Sequence, residues 1–306
     1  IENDFDVVIL DDLSNSSEKT ISRIHKITGV FPTFVKIDLK DPLATSKVFE
    51  THNDAAGVIH FAAHKAVGES VQKPLMYYKN NFYSLLNSLE AQSLHGINNF
   101  IFSSSATVYG RPNILPITED NETQRPFSPY GNTKKIAEEI LDDFTKSNDA
   151  FSAISLRYFN PIGAHPSGEI GELPNGIPNN LMPYITQTAA GIREKLMVFG
   201  NDYPTKDGTP IRDYIHVVDL AKAHVKAINR LIDRKQDQPL ETYNLGTGNG
   251  FSVMEVIESF ERVSGLKLNY ETVGRREGDV PQLFAATDLV YQKMGWKAEL
   301  GLDEMI

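Results

Sequence analysis

The sequence predicts an α/β protein built on a doubly wound parallel sheet, and three observations carry that prediction. Short continuous apolar runs alternate with helical patterns through the first half of the chain, the order expected when crossover helices bury strands on both faces. The residues that directly follow those runs are small or polar rather than packing residues. In open sheets of this kind ligands sit beyond the carboxyl ends of the strands, so a row of such residues suits a bound molecule. No internal repeat, low-complexity tract or long charge run interrupts the 306 residues, so a flexible two-module arrangement is not expected.

Taken in order, the first run is DVVIL at 6–10, a β-branched stretch that ends in Asp11 and Asp12. In dinucleotide-binding folds an acid at that place accepts hydrogen bonds from the adenosine ribose, and a glycine-rich phosphate loop lies about 20 residues before it. Counting back from Asp11 passes Ile1. Either the fold is a different one, or the sequence starts after the first strand and its glycine loop. Further strands are predicted at 33–37, 57–61, 99–103 and 151–156, with helices at 42–52, 74–94 and 130–146 between them. The residues to inspect after these runs are Asp38, Phe61-Ala62-Ala63, Ser103-Ser104-Ser105 and Tyr158-Phe159-Asn160. From Pro161 to Pro183 the chain is rich in Pro, Gly and Asn, as expected of a loop that wraps a ligand. A helix at 219–231, a strand at 241–245 and a helix from Ser252 follow; GTGNG (Gly246 to Gly250) lacks the downstream lysine of a phosphate loop and reads as a strand-to-helix turn.

Composition excludes several function classes. A formal charge of -10 argues against nucleic acid and anionic lipid as partners. There is no cysteine, hence no disulfide framework and no thiolate chemistry, which suits the cytoplasm. No apolar run is long enough to span a bilayer, and no signal peptide is expected before the first strand. His60, His64, His165 and His216 lack ligand spacing and read as structural, so no metal site is expected.

The segment SPYGNTKKIAEEIL, Ser128 to Leu141, opens a helix on which Ile136, Ala137, Ile140, Leu141 and Phe144 form one apolar stripe. Tyr130 and Lys134 lie at its flank, facing the rim of a cleft, and Lys135 turns to solvent. Of the 12 tyrosines only Tyr130 has lysine four positions later. A phenol is a poor base at neutral pH, and a neighbouring ammonium is expected to make it more acidic. Ser105, at a strand end, supplies a hydroxyl for the same substrate oxygen. The plainer reading makes Tyr130 a core residue at a helix start and Lys134 its solvated neighbour; that reading leaves the three serines and the acidic strand end unexplained.

Ser105, Tyr130-x-x-x-Lys134 and Asp11 together resemble the extended short-chain dehydrogenase/reductase family. The longer strings HFAAHKAVGESVQKPL, FIFSSSATVYG, LRYFNPIGAHPSG, GIPNNLMPYI, FGNDYPTKDGTPIRDYIHV, YNLGTGNG and RREGD are similar to its UDP-glucose 4-epimerase subfamily, in the same order along nearly the whole chain. That resemblance implies a Rossmann-like NAD-binding part over 1–160 and a smaller α/β part over 161–306 that mainly binds the UDP-sugar, with some segments returning to the first. It also implies that the family's first strand, with its GxxGxxG loop, is missing before Ile1 and that the last helix is cut after Met305, so a fragment is expected.

The implied activity is NAD-dependent inversion at C4 of UDP-glucose and UDP-galactose through a 4-keto sugar, with Ser105, Tyr130 and Lys134 as catalytic residues. For NAD the resemblance implies Asp11, Asp12, Asn15 and Ser16 at the adenosine ribose and Asp38 and Leu39 at the adenine. Phe61, Ala62, Ala63, Lys65, Asn80, Ser103, Tyr158 and Phe159 would line the rest of the cofactor pocket, with Tyr130 and Lys134. For the UDP-sugar it implies Lys65, Ser105, Tyr130, Asn160, Asn180 and Leu181, with Val198 and Phe199 at the uracil. Arg212 and Arg276 would hold the diphosphate, Tyr214 and Asp279 the nucleotide ribose, and Leu283 would gate N-acetylated sugars. A 4,6-dehydratase is disfavoured because Ala106 and Thr107 stand where that enzyme needs an acid and a base. A non-catalytic sugar-nucleotide binder is the alternative of another class. A homodimer through helices 74–94 and 130–146 is expected.

Overall fold

A computed structural model describes residues 1–173, 178, 180–276 and 279–306. Strand β1 (Val8–Asp11) pairs in parallel with β2 (Thr33–Lys36) across α1 (Lys19–Thr28). Helix α2 (Pro42–Thr51) starts where the Asp41 side chain accepts hydrogen bonds from the Leu43 and Ala44 amides, with Pro42 in the first turn, where its missing N–H costs nothing. Then come β3 (Val58–His60), α3 (Val67–Gln72), α4 (Pro74–His95), β4 (Asn99–Ser105), α5 (Pro129–Ser147) and β5 (Ser152–Tyr158). The chain continues through β6 (Asn160–Ile162), α6 (Leu181–Ala189), β7 (Leu196–Phe199), β8 (Ile211–His216), α7 (Val217–Ile232) and β9 (Leu240–Leu245). It ends with β10 (Gly250–Ser252), α8 (Val253–Ser264), β11 (Tyr270–Val273), β12 (Gln282–Leu283) and α9 (Asp288–Met294).

The central sheet is parallel, in the order β3-β4-β5-β9. Side chains alternate across it as strand geometry requires. Phe100, Phe102 and Ala153 pack with Leu85 and Leu89 of α4 and Ala137 and Leu141 of α5. Ile101, Ile154 and Leu156 face the other way, onto Leu220, Ala223 and Ala227 of α7 and Trp296. Helices therefore cover both faces, as the alternating pattern predicts. The β1-β2 pair is not hydrogen-bonded to β3; Leu10 and Val58 meet instead around Phe49, Ala91 and Ile97. Val8 and Ile59, on those two strands, are each 37% exposed.

The second half divides its labour. Strand β9 joins the central sheet beside β5. A smaller sheet has β8 at its centre, flanked by β10, β12 and β6, and β7 pairs with β11. A core of Ile162, Met182, Ile185, Leu196, Val198 and Tyr214 sits under α6 and α8. None of the described helices is long and apolar enough to cross a membrane.

Candidate active site

The site forms where β4 ends and α5 begins. Ser128 caps α5 by accepting a hydrogen bond from the Gly131 amide, and Pro129 occupies its first turn, which sets the helix start one residue before Tyr130. Gly131 is required there: a Cβ would stand 2.7 Å from Pro126 and 3.2 Å from Thr107. Ser105 Oγ accepts from the Thr107 amide at 3.2 Å and from Thr107 Oγ1 at 3.0 Å. With both lone pairs used, the Ser105 proton is the part left to offer, and this hydroxyl draws the Tyr130 phenol down against the rise that burial causes. Thr107, which lacks the acid-base chemistry of a dehydratase, thus orients the serine.

Lys134 departs from the expectation of a rim residue. It is 4% exposed; its Nζ donates to the Ser103 carbonyl at 2.6 Å and stands 4.8 Å from the centroid of the Phe102 ring. Helical period places Lys134 on the flank, but α4 and β4 both close over it, through Asn81 and Phe102. Burial draws the ammonium down from 10.5 to about 8, opposed by Glu138. In the free protein burial raises the Tyr130 phenol, and the Ser105 hydroxyl pulls it back. His60, stacked 5.6 Å from Phe100, falls to about 3 through burial and then the Lys134 charge.

The residues expected at the cofactor lie along the strand ends. Asp11 Oδ1 accepts from the Leu13 amide at 2.7 Å and from Ser16 Oγ at 2.6 Å, and Asp12 Oδ1 from the Ser14 amide at 2.8 Å; Asn15 is exposed beside them. Asp38 pairs with Lys40, whose Nζ also donates to Asn80 Oδ1 at 3.0 Å. The Leu39 carbonyl accepts from Asn87. Lys40 and Asn81 do not stand out in the sequence. Asn81 clamps the His64 backbone and Thr133 of α5, with bonds of 2.8 to 3.1 Å, and its signal was only a polar residue on a buried helix face. Phe61 is 57% exposed next to His224, while Ala62 and Ala63 line a small cavity with Lys134. Tyr158 hydrogen-bonds His224 Nε2, and Phe159 is packed into the cluster around Tyr109 and Ile117.

On the other side, Arg212 pairs with Asp279, and the Arg276 guanidinium lies 4.7 Å over the Phe199 ring. Asn180 precedes α6 and donates to Glu172, which also faces Lys65 at 3.4 Å. Asn160 begins β6, opposite Tyr214. Val198 and Tyr214 have their side chains in the core, Leu181 packs against it, and Leu283 rests on the Phe159 cluster. Any contact from Val198 would be made by its backbone. Arg275 pairs at the surface with Asp202.

Residues 1–246 match the model of the NAD dependent epimerase/dehydratase family. The chain is 50% identical over 305 residues to the UDP-glucose 4-epimerase of Bacillus subtilis, covering 100% of this chain and 88% of that protein. To the mouse protein of the same name it is 48% identical over 311 residues, covering 100% and 88%. Among solved structures, the UDP-glucose-4-epimerase of Stenotrophomonas maltophila, with bound NAD and formylated UDP-arabinopyranose, is similar with a TM-score of 0.95 at 44% identity, over 99% of this chain and 89% of that one. That of Bifidobacterium longum, in complex with NAD+ and UDP, gives 0.93 at 45% identity, over 99% and 89%. The chain belongs to the NAD dependent epimerase/dehydratase family.

Proposed function

We propose that the protein interconverts UDP-glucose and UDP-galactose by inverting C4 of the hexose, with NAD as its resident cofactor. The observation that carries the reading is the meeting of Ser105, Tyr130 and Lys134 at the end of β4, in a chain about half identical to enzymes of that name. The acceptors at β1 fit NAD: both hydrogen bonds to Asp11 go to Oδ1, which leaves Oδ2 for a ribose hydroxyl, and Asp11 and Asp12 together repel a 2'-phosphate. Asp38, Leu39, Lys40, Asn80 and Tyr158 would complete its pocket. Held by these residues, NAD would supply a reversible hydride acceptor for C4.

The chain's own residues handle the proton and the orientation. Tyr130 accepts the proton of the 4-hydroxyl and gives it back, and Ser105 donates a hydrogen bond to the same oxygen. Because burial raises the Tyr130 phenol, the base form depends on positive charge brought near it, from Lys134 and from the oxidised nicotinamide. Arg212 and Arg276 hold the diphosphate with paired hydrogen bonds, Arg212 exchanging Asp279 for the ligand. The sugar, held more loosely near Asn160 and Asn180, turns over between the two hydride steps. Leu283, intermediate in size, admits an N-acetyl group, so UDP-N-acetylhexosamines belong to the proposed range.

We place the enzyme in the cytoplasm as a homodimer. The absence of cysteine suits a reducing compartment. The outer face of α4 carries Leu75 at 72%, Tyr83 at 51% and Leu86 at 38% exposure, an apolar surface suited to a second copy. Conversion of UDP-galactose to UDP-glucose tests the activity, with Tyr130→Phe as the decisive variant. Turnover should fall by about 10²-fold or more while NAD stays bound; a fully active variant would remove the base. The same assay with UDP-N-acetylgalactosamine tests the range.

A further inference from the structure

The three consecutive serines at the end of β4 each engage a different residue of one α5 stripe. The Ser105 hydroxyl lowers the Tyr130 phenol against its burial, the Ser103 carbonyl accepts from Lys134, and Ser104 Oγ donates to Glu138 Oε1 at 2.5 Å. Tyr130, Lys134 and Glu138 stand at i, i+4 and i+8, one above another on the helix. Two of the three belong to the proposed chemistry. The third is a carboxylate, 8% exposed, and the mechanism gives it no task.

Glu138 accepts three hydrogen bonds, one from Ser104 and two from Arg157. Arg157 of β5 grips it with a fork, Nε to Oε1 at 3.0 Å and Nη2 to Oε2 at 2.7 Å. The free arm of Arg157, Nη1, donates to Tyr109 Oη at 2.8 Å, and Tyr109 donates to Asn244 Oδ1 of β9 at 2.7 Å. Asn244 is itself fixed by Glu119, which accepts from its amide at 2.7 Å. One carboxylate therefore ties α5 to β4, β5 and β9. A bidentate fork defines rotation as well as distance, so the network sets the azimuth at which α5 presents Tyr130 and Lys134 to the strand ends.

We infer that Glu138 is a positioning residue of the epimerisation, fixing the rotation of α5 through Ser104 and Arg157 and supplying the negative charge that faces the Lys134 ammonium. The inference rests on the proposed function and deepens it. The charged and titratable groups around Lys134 are few: Tyr130 and Glu138 on α5, His60 on β3, and Tyr158 and Arg157 on β5. His60 is neutral, the tyrosines are protonated in the free protein, and Arg157 repels the ammonium. Glu138 alone of these favours the charged form of Lys134.

The test compares Glu138→Gln with Glu138→Asp in the NAD-loaded enzyme. Glutamine keeps the volume and the acceptor toward Ser104 but removes the charge. The alkaline limb of kcat, where Lys134 loses its proton, should move down by about one pH unit, and kcat should fall about 10-fold or more as the helix loses its fork. Aspartate keeps the charge and should leave the limb near its wild-type position, restoring part of kcat. A second readout needs no turnover: NMR titration of the Lys134 side chain should show the same downward displacement in Glu138→Gln. An unmoved limb and an unmoved Lys134 titration in that variant overturn the inference. Should Glu138→Gln not accumulate as folded protein, Glu138→Asp decides alone, and a limb displaced as far as one pH unit in it counts against the inference. Failure of the functional reading would look different, since wild-type protein would then not turn over UDP-galactose while the Lys134 titration still answered the question.

Discussion

Lys134→Met removes an ammonium from a site that is 4% exposed and leaves an apolar chain of similar length beside the Phe102 ring. In the folded protein burial lowers this group from 10.5 to about 8, Glu138 opposing, whereas in the unfolded chain it titrates near its ordinary value. At 1.36 kcal/mol per pH unit the gap amounts to roughly 3 kcal/mol of stability lost at neutral pH. The sign follows from counting protons. Below about pH 8 both states hold the proton; from there to about 10.5 the unfolded chain holds one that the folded protein has released, so wild-type stability rises with pH through that window. Between about pH 7 and pH 9.5 roughly 2 kcal/mol of the loss should return. Lys134→Met has nothing to titrate there and gains none of it. Urea unfolding of both proteins at the two pH values, free of nucleotide so that ligand linkage does not enter, gives the difference of differences, in which the other titrating groups cancel. A value that stays flat, or that moves in favour of the variant, would refute the reasoning.

Gly246→Ala should destabilise the fold by about 1–3 kcal/mol, read as a lower denaturant midpoint, because the new Cβ would stand 2.3 Å from Asp213 Oδ2 and 3.0 Å from the Ala285 Cβ. Asp213 cannot yield: it is fully buried and already accepts from the Thr247, Gly248 and Ala285 amides. Burial holds His60 near 3, with help from Lys134, and His224 near 4, so their ring proton shifts in NMR should stay flat from about pH 8 down to about pH 5. Both then contribute to acid lability, since the unfolded chain takes up protons below about pH 6.5 that the folded protein refuses. An inflection near 6.5 for either ring would contradict the burial argument.

Much of the sheet was legible because parallel strands buried on both faces are continuous apolar runs. NFIFSS and the run ending in LRY announce β4 and β5 within two residues. Helices α4, α5 and α7 were equally plain from their spacing. The small sheet was not, because IRDYIH of β8 sets two adjacent charges inside a short run with no strand alternation, and its partners lie far along the chain. In the site, Ser105 and the Tyr130-Lys134 spacing stood out by residue type. The burial of Lys134 did not, since helical period says which face a residue shares and not which neighbours cover it. Glu138 and Arg157 were missed for the converse reason: a charge within an amphipathic pattern reads as surface until its partner is seen.

That pair also bears on what the fold is arranged to do. A buried carboxylate–guanidinium pair is poor evidence of stabilisation, because the desolvation of two charges offsets most of their attraction and a well-packed apolar pair would serve as well. Here the pair stands one helical turn from a lysine whose own buried charge costs stability at neutral pH. Three ionised groups so close together make no sense as packing. They make sense as geometry, since each is fastened by directional hydrogen bonds to Ser103, Ser104 or Tyr109. An apolar substitute for the Glu138-Arg157 pair would therefore be expected to preserve the fold while loosening the angle between Tyr130 and Ser105, separating the stability of this sheet from its chemistry.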